Sequence, residues 1–319
     1  MSFNLDPSVL FFIVGVVAAT VLPNARIPVR ASGLLSRFLL AIVGAKGGVA
    51  LSASGLNGDV FLTVVAGLIM ALAVPALGFP ILRRLTTRLN AAAIAAAYGS
   101  VSVVTFVTAT STLDVSGTVY GGHMAAVMAL MESPAIFMAI LLAAAARSRG
   151  KARRDTLPLR RAVREAITDR TQMLLQAAFA FGLIIGEPGG KLLTPITGSG
   201  FQIVLALFLL DMGGEVARQF PVARHASPGL LAYAVCGPLA HASLALIPSA
   251  LFGLSAGDAT LLMVLSASAS YIVVPAVIRH AIPEANPALY LGLSLGVTFP
   301  FNIIVGIPVY RHFAQVLFT

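Results

Sequence analysis

Ten apolar stretches, each long enough to cross a bilayer or nearly so, divide this chain, and few charges interrupt them. A hydrocarbon core of about 30 Å takes about 20 apolar residues in a helix. Cuts at polar or Pro/Gly breaks put the spans at approximately 8–23, 32–56, 59–82, 89–113, 118–146, 172–187, 197–220, 226–253, 257–279 and 287–313. Apolar residues make up 58% of the chain and charged ones only 10%, where a soluble domain carries about 25% charged. The expected class is an all-α, multi-pass integral membrane protein. The first run, from Ser8, has no basic segment before it and no small-residue cleavage site, so it reads as a retained helix. The single cysteine, Cys236, excludes an internal disulfide. The five histidines show no metal-ligand spacing, and no cofactor is expected.

The connections alternate in charge, and that sets an orientation. Arg26 and Arg30, then Arg83, Arg84 and Arg88, then residues 147–170, then Arg218 and Arg224, then Arg279 fall on one side. Asp6, Asp59, Asp114, Glu187 and Asp258 fall on the other. Lys and Arg collect on the cytoplasmic side of a membrane protein. The expected topology therefore has both termini outside, in a bacterial plasma membrane. Residues 147–170 alone hold nine Lys/Arg against three Asp/Glu. No nucleic-acid-binding motif accompanies them, so they read as a tether near anionic headgroups.

The two halves resemble each other. A shift of 166 residues carries Ser100 and Ser102 of "YGSVSVVTF" onto Ser266 and Ser268 of "SASASYIVV", and Pro134 onto Pro300. "FLLAIVGAKGG" (38–48) echoes "FLLDMGGEVA" (208–217) at a different offset. Five spans per half force the second copy to enter the bilayer in the opposite direction, the inverted-repeat pattern of secondary transporters. The expected domains are a first repeat at 1–146, a basic linker at 147–171 and an inverted repeat at 172–319.

Serines two apart do not share a helix face, but they line one side of an extended chain. Gly99–Thr105 and Ser266–Tyr271 are therefore expected to be unwound and to cross near the bilayer centre. Such backbone is tolerated only where protein or a water-filled cavity surrounds it. Restarting half-helices would aim N–H groups at an anion, and hydroxyls and carbonyls would suit Na+. The plainer reading, small residues for close helix packing, fits each segment alone.

Glu132 lies midway along the fifth span, where a carboxylate costs about 3 kcal/mol and needs a partner or a function. Lys46 and Glu215 follow corresponding "FLL" strings, with Asp211 four residues before Glu215, as a candidate ion pair or gate. Tyr290 and Tyr310 suit interfacial anchoring.

Four strings, "AAYGSVSVVTFVTA", "GGHMAAVMALMESPAI", "SASASYIVVPA" and "IPEANPALYLGLSLGVTFPFNI", closely resemble the sodium-dependent bicarbonate transporters of the SbtA type, and the likeness runs over essentially the whole chain. The resemblance implies ten helices in a five-plus-five inverted repeat, with two discontinuous crossing helices. It implies a core domain moving against a gate domain, a homotrimer, and symport of Na+ with bicarbonate. Carried over, Gly99, Ser100, Val101, Ser102, Ser266, Ala267, Ser268 and Ser270 would contact the anion. Thr105, Glu132, Tyr271, Thr298 and Asn302 would offer oxygens to Na+. Cyanobacterial members dock a PII-like nucleotide-binding regulator in the cytoplasm; the short, strongly basic linker argues against unchanged docking here. Alternatives are a Na+-coupled symporter of a short carboxylate and an anion channel. An enzyme is not expected, because His241 beside Ser243 has no third member.

Overall fold

A computed structural model describes residues 7–22, 27–55, 57–147, 170–197, 199–271, 274, 278–279 and 281–318. Asp6, Arg26, Pro275 and nearly all of the basic linker lie outside these residues, so the expectations placed on them have no structural counterpart here.

Among the described residues every regular element is helical. The chain order is α1 (Pro7–Val21), α2 (Val29–Ser54), α3 (Gly58–Leu82), α4 (Arg88–Gly99), α5 (Val103–Val115) and α6 (Met124–Arg147). There follow α7 (Arg170–Thr197), α8 (Ser199–Ala223), α9 (Pro228–Leu251), α10 (Ala256–Ala267) and α11 (Pro287–Phe318). Eight stretches of the described residues are long and apolar enough to cross a membrane, with Arg88–Val115 counted as one and two shorter apolar helices beside them. This is a multi-pass membrane bundle. The sixth expected span, 172–187, proves longer: α7 continues past a kink at Gly186, whose φ of +57° suits glycine. The fifth begins later than expected, at Met124.

Side-chain caps set several helix starts. Asn57 accepts from the Val60 N–H at 2.9 Å to open α3. Thr87 accepts from Asn90 to open α4, and Ser255 from Asp258 to open α10. Each satisfies an N–H that the first helical turn leaves without a partner.

Without a hydrophobic force between helices in lipid, close packing relies on small residues. Gly44 and Gly48 of α2 lie against the α7 backbone, and Gly182 of α7 lies against Ala45. Gly15 of α1 and Gly213 of α8 meet in the same manner. Thus α1 packs on α8 and α2 on α7. The remaining helices surround α4 and α10. Every side chain from Ala91 to Ala97 is buried, and so is every one from Gly257 to Ala267. Phe61, Ile69, Leu77, Phe181 and Ile184 face outward, which suits lipid. Two short helices with no outward face therefore form the centre of the bundle.

Candidate functional site

Both enclosed helices stop abruptly. α4 ends at Gly99, where a Cβ would lie 2.6–2.9 Å from the Pro75 ring carbons of α3. Ser100 (φ −101°, ψ 167°) and Ser102 (φ −105°, ψ 111°) are then extended, and α5 restarts at Val103. Ser102 Oγ accepts from the Thr105 N–H at 3.3 Å, capping the new helix. α10 ends at Ala267, and Ser268 (φ −80°, ψ 166°) is again extended. The unwound stretches are shorter than predicted: Gly99, Ser266 and Ala267 are still helical, and Thr105 already belongs to α5.

The bounds of the two enclosed helices follow an offset other than 166. α4 and α10 are each 12 residues long, starting at 88 and 256 and ending at 99 and 267, an offset of 168. Their N-caps, Thr87 and Ser255, keep that offset, as do the extended serines that follow them, Ser100 and Ser268. The 166-residue match of Ser100 with Ser266 is thus displaced by two. Alternating serines score well at either shift, so the sequence could not choose.

Hydrogen bonds join the two breaks directly. The Ser270 N–H donates to the Ala97 carbonyl at 2.8 Å. In the other direction the Ser102 N–H donates to Ser268 Oγ at 2.9 Å, and that hydroxyl donates to the Leu265 carbonyl at 2.8 Å. Ala97 and Leu265 are also 168 apart. The same connection is therefore direct on one side and relayed through a serine hydroxyl on the other. Ends of helices leave carbonyls without partners, and here each break supplies donors to the other.

A cavity of about 40 Å³ lies against this junction. About 10–15 Å³ holds one water, so a small polyatomic ion fits. The junction contributes Val101, Ser102, Ser270 and Tyr271, and α5 contributes Val103, Val104 and Val107. Glu132 of α6, 2% exposed, is the carboxylate in the lining. Ser36, Leu39 and Leu40 of α2, Leu175 of α7 and Phe208 of α8 complete it. Sequence reasoning missed these last five as site residues. The signal existed, since Leu39, Leu40 and Phe208 lie within the two "FLL" echoes.

Gly99, Ser100, Thr105, Ser266, Ala267, Ser268, Thr298 and Asn302 do not line the cavity. Ser100 and Ser266 are buried, and their hydroxyls have no hydrogen-bond partner among the described residues. Tyr271's hydroxyl lies near Ser102 without meeting hydrogen-bond geometry. Thr298 donates to the Ala234 carbonyl at 2.7 Å and also meets the Tyr98 hydroxyl. Asn302 donates to the Ala267 carbonyl at 2.9 Å and accepts from Tyr310 at 2.9 Å. Tyr290 and Tyr310 are buried within the bundle. Glu215 pairs within α8, with Arg218 at 3.0 Å, and Lys46 lies over the Phe201 ring at 5.6 Å, so the two do not form a pair with each other. Asp211 is half-buried on α8.

A family model for the Na+-dependent bicarbonate transporter superfamily matches residues 7–315. The chain belongs to this superfamily. No curated protein matches it. A Na+-dependent bicarbonate transporter carries a cation together with a small planar anion. The N-terminus of α5 opens at Val103 and Val104, both in the lining. A helix N-terminus carries about half a positive charge and favours anions. Glu132 adds a carboxyl group to the same lining, together with Ser102, Ser270 and Tyr271.

Proposed function

We propose that the protein is a Na+/bicarbonate symporter working by alternating access, with both ions held in the cavity beside the two helix breaks. The carrying observation is the reciprocal junction of Ser102 with Ser268 and of Ser270 with Ala97, next to a buried carboxylate. Bicarbonate takes the end defined by Val101, Ser102, Ser270 and the first N–H groups of α5. Na+ takes oxygens from Glu132 and Tyr271. Na+ offsets both the carboxylate and the anion, so each ion binds better with the other present.

The halves act as inverted repeats, 1–146 and 172–319, in a ten-span arrangement with both termini outside a bacterial plasma membrane. Beyond the helix lengths, a second matched pair supports this reading. The Asn90 amide oxygen of α4 accepts from the Asn286 N–H at 2.8 Å, just before α11. The Asp258 carboxylate of α10 accepts from the Gly121 N–H at 2.7 Å, just before α6. Each broken helix is thus anchored at its start to the entry of the other repeat's last helix. The α1–α8 and α2–α7 layer serves as the gate, and the element group around α4 and α10 as the moving core, assembled as a trimer.

Uptake of labelled bicarbonate into proteoliposomes tests the function. Saturable uptake that requires an inward Na+ gradient, and that formate and sulfate compete for poorly, is the expected result. Competition by formate equal to that by unlabelled bicarbonate would reassign the cargo to short carboxylates. Non-saturable flux without Na+ would make the protein a channel.

A further inference from the structure

We propose that α11 is a clamp that sets the spacing of the two helix breaks, with Thr298 and Asn302 as positioning residues and not as sodium donors. The inference deepens the reading above and rests on it.

α11 departs from α-helical geometry at two places. The Phe299 N–H reaches back five residues to the Ser294 carbonyl, and the Ile307 N–H reaches back five to Asn302. Pro300, which has no N–H to donate, sits between these π turns. Such widened turns are rare and concentrate at functional positions. Thr298 ends the first and Asn302 begins the second. Four residues apart, they project from one face of the helix, and both are buried to 1% exposure.

That face holds the last turns of both enclosed helices. The Ala234 carbonyl can only accept, so it takes the single Thr298 hydroxyl proton at 2.7 Å. The Tyr98 hydroxyl must then donate to Thr298 Oγ1. Tyr98 directly precedes Gly99, where α4 ends. The Ala267 carbonyl, at the end of α10, likewise fixes Asn302 Nδ2 as donor. Tyr310, two turns further along α11, donates to the Asn302 amide oxygen and prevents the amide from turning over. One helix face therefore ties the end of α4 to α9 and caps the end of α10. Those two ends are where the chain unwinds into the junction that the cavity adjoins. Neither Thr298 nor Asn302 lines the cavity, whereas Glu132 and Tyr271 do.

The tyrosines make the test, because a phenylalanine in either place removes a tie without substituting any candidate sodium donor. Uptake would be measured at varied Na+ and varied bicarbonate for Tyr98→Phe, Tyr310→Phe, Thr298→Val and Thr298→Ser, with thermal unfolding of each in detergent. Tyr98→Phe and Tyr310→Phe should each lower uptake by about five-fold, the effect of one lost neutral hydrogen bond, and Thr298→Val, which loses two, should lower it further. Thr298→Ser keeps the hydroxyl and should restore wild-type behaviour. The Tyr98→Phe/Thr298→Val double variant should be no worse than Thr298→Val alone, in uptake and in unfolding temperature. Wild-type-like tyrosine variants, beside a Thr298→Val variant that raises only the half-saturating Na+ concentration, would overturn the clamp. Additive losses in unfolding temperature would also overturn it. Absence of Na+-dependent uptake in the wild type would defeat the proposed function instead, and the unfolding cycle would still decide the clamp.

Discussion

Replacing Ser268 with alanine removes one oxygen that two parts of the junction share. Ser268 Oγ accepts from the Ser102 N–H at 2.9 Å and donates to the Leu265 carbonyl at 2.8 Å. The Leu265 carbonyl keeps a second donor, the Ser268 N–H at 3.3 Å. The Ser102 N–H keeps none, and Ser102 is 4% exposed. A buried donor left without its acceptor costs about 1–3 kcal/mol. At about 1.4 kcal/mol per factor of ten, that is roughly a five- to 150-fold smaller population with the two breaks joined. Maximal Na+-driven bicarbonate uptake by Ser268→Ala should fall within that range, at equal amounts of folded protein by size-exclusion chromatography. Ser243→Ala is the control. Its hydroxyl bonds only the Leu239 carbonyl on the outer face of α9, so uptake should not change. Ser268→Ala uptake within two-fold of wild type would refute the claim that the serine relay positions the site.

Three further outcomes follow from the same geometry. Gly99→Ala forces a methyl to within 2.6–2.9 Å of the rigid Pro75 ring, an overpacking of about 1–3 kcal/mol. Both unfolding temperature and uptake should drop; a variant with unchanged melting would show that α3 and α4 can separate freely. Glu132→Gln removes the carboxylate charge from the cavity lining. The Na+ dependence of uptake should weaken by about ten-fold or more, in keeping with a charge-assisted contact; an unaltered Na+ titration would exclude Glu132 from coupling. On the loop before α11, desolvation pushes the Glu284 carboxyl upward. The Arg147 hydrogen bond at 2.8 Å, a backbone hydrogen bond and the Arg147 charge outweigh this, so its pKa falls below the usual value. That contribution is present above the unfolded carboxylate value of about 4.3 and is lost as pH falls through the lowered folded value. The melting difference between wild type and Glu284→Gln should therefore close in that acid window. A difference that stays constant between about pH 6 and about pH 3 would rule out the pair.

Span placement was legible in the sequence because lipid allows few alternatives. Backbone polar groups in hydrocarbon must be satisfied internally, so apolar length almost dictates helices. The serine spacing likewise announced two interruptions, since hydroxyls two apart cannot serve one helix face. Glu132 stood out because carboxylates at bilayer depth are costly, and it does line the cavity. Beyond that point local information ran out. Alternating serines look alike at shifts of 166 and 168, and only the capped, equal lengths of α4 and α10 select the second. Thr298 and Asn302 carry the same oxygens as ion ligands would, yet those oxygens are committed to Ala234, Tyr98 and Tyr310. Leu39, Leu40, Leu175 and Phe208 are ordinary apolar residues until packing brings α2, α7 and α8 against the junction. Composition and spacing thus determined where the helices run and where they break. Which oxygen bonds which partner was decided by tertiary contact, because a hydrogen bond depends on distances between residues far apart in the chain.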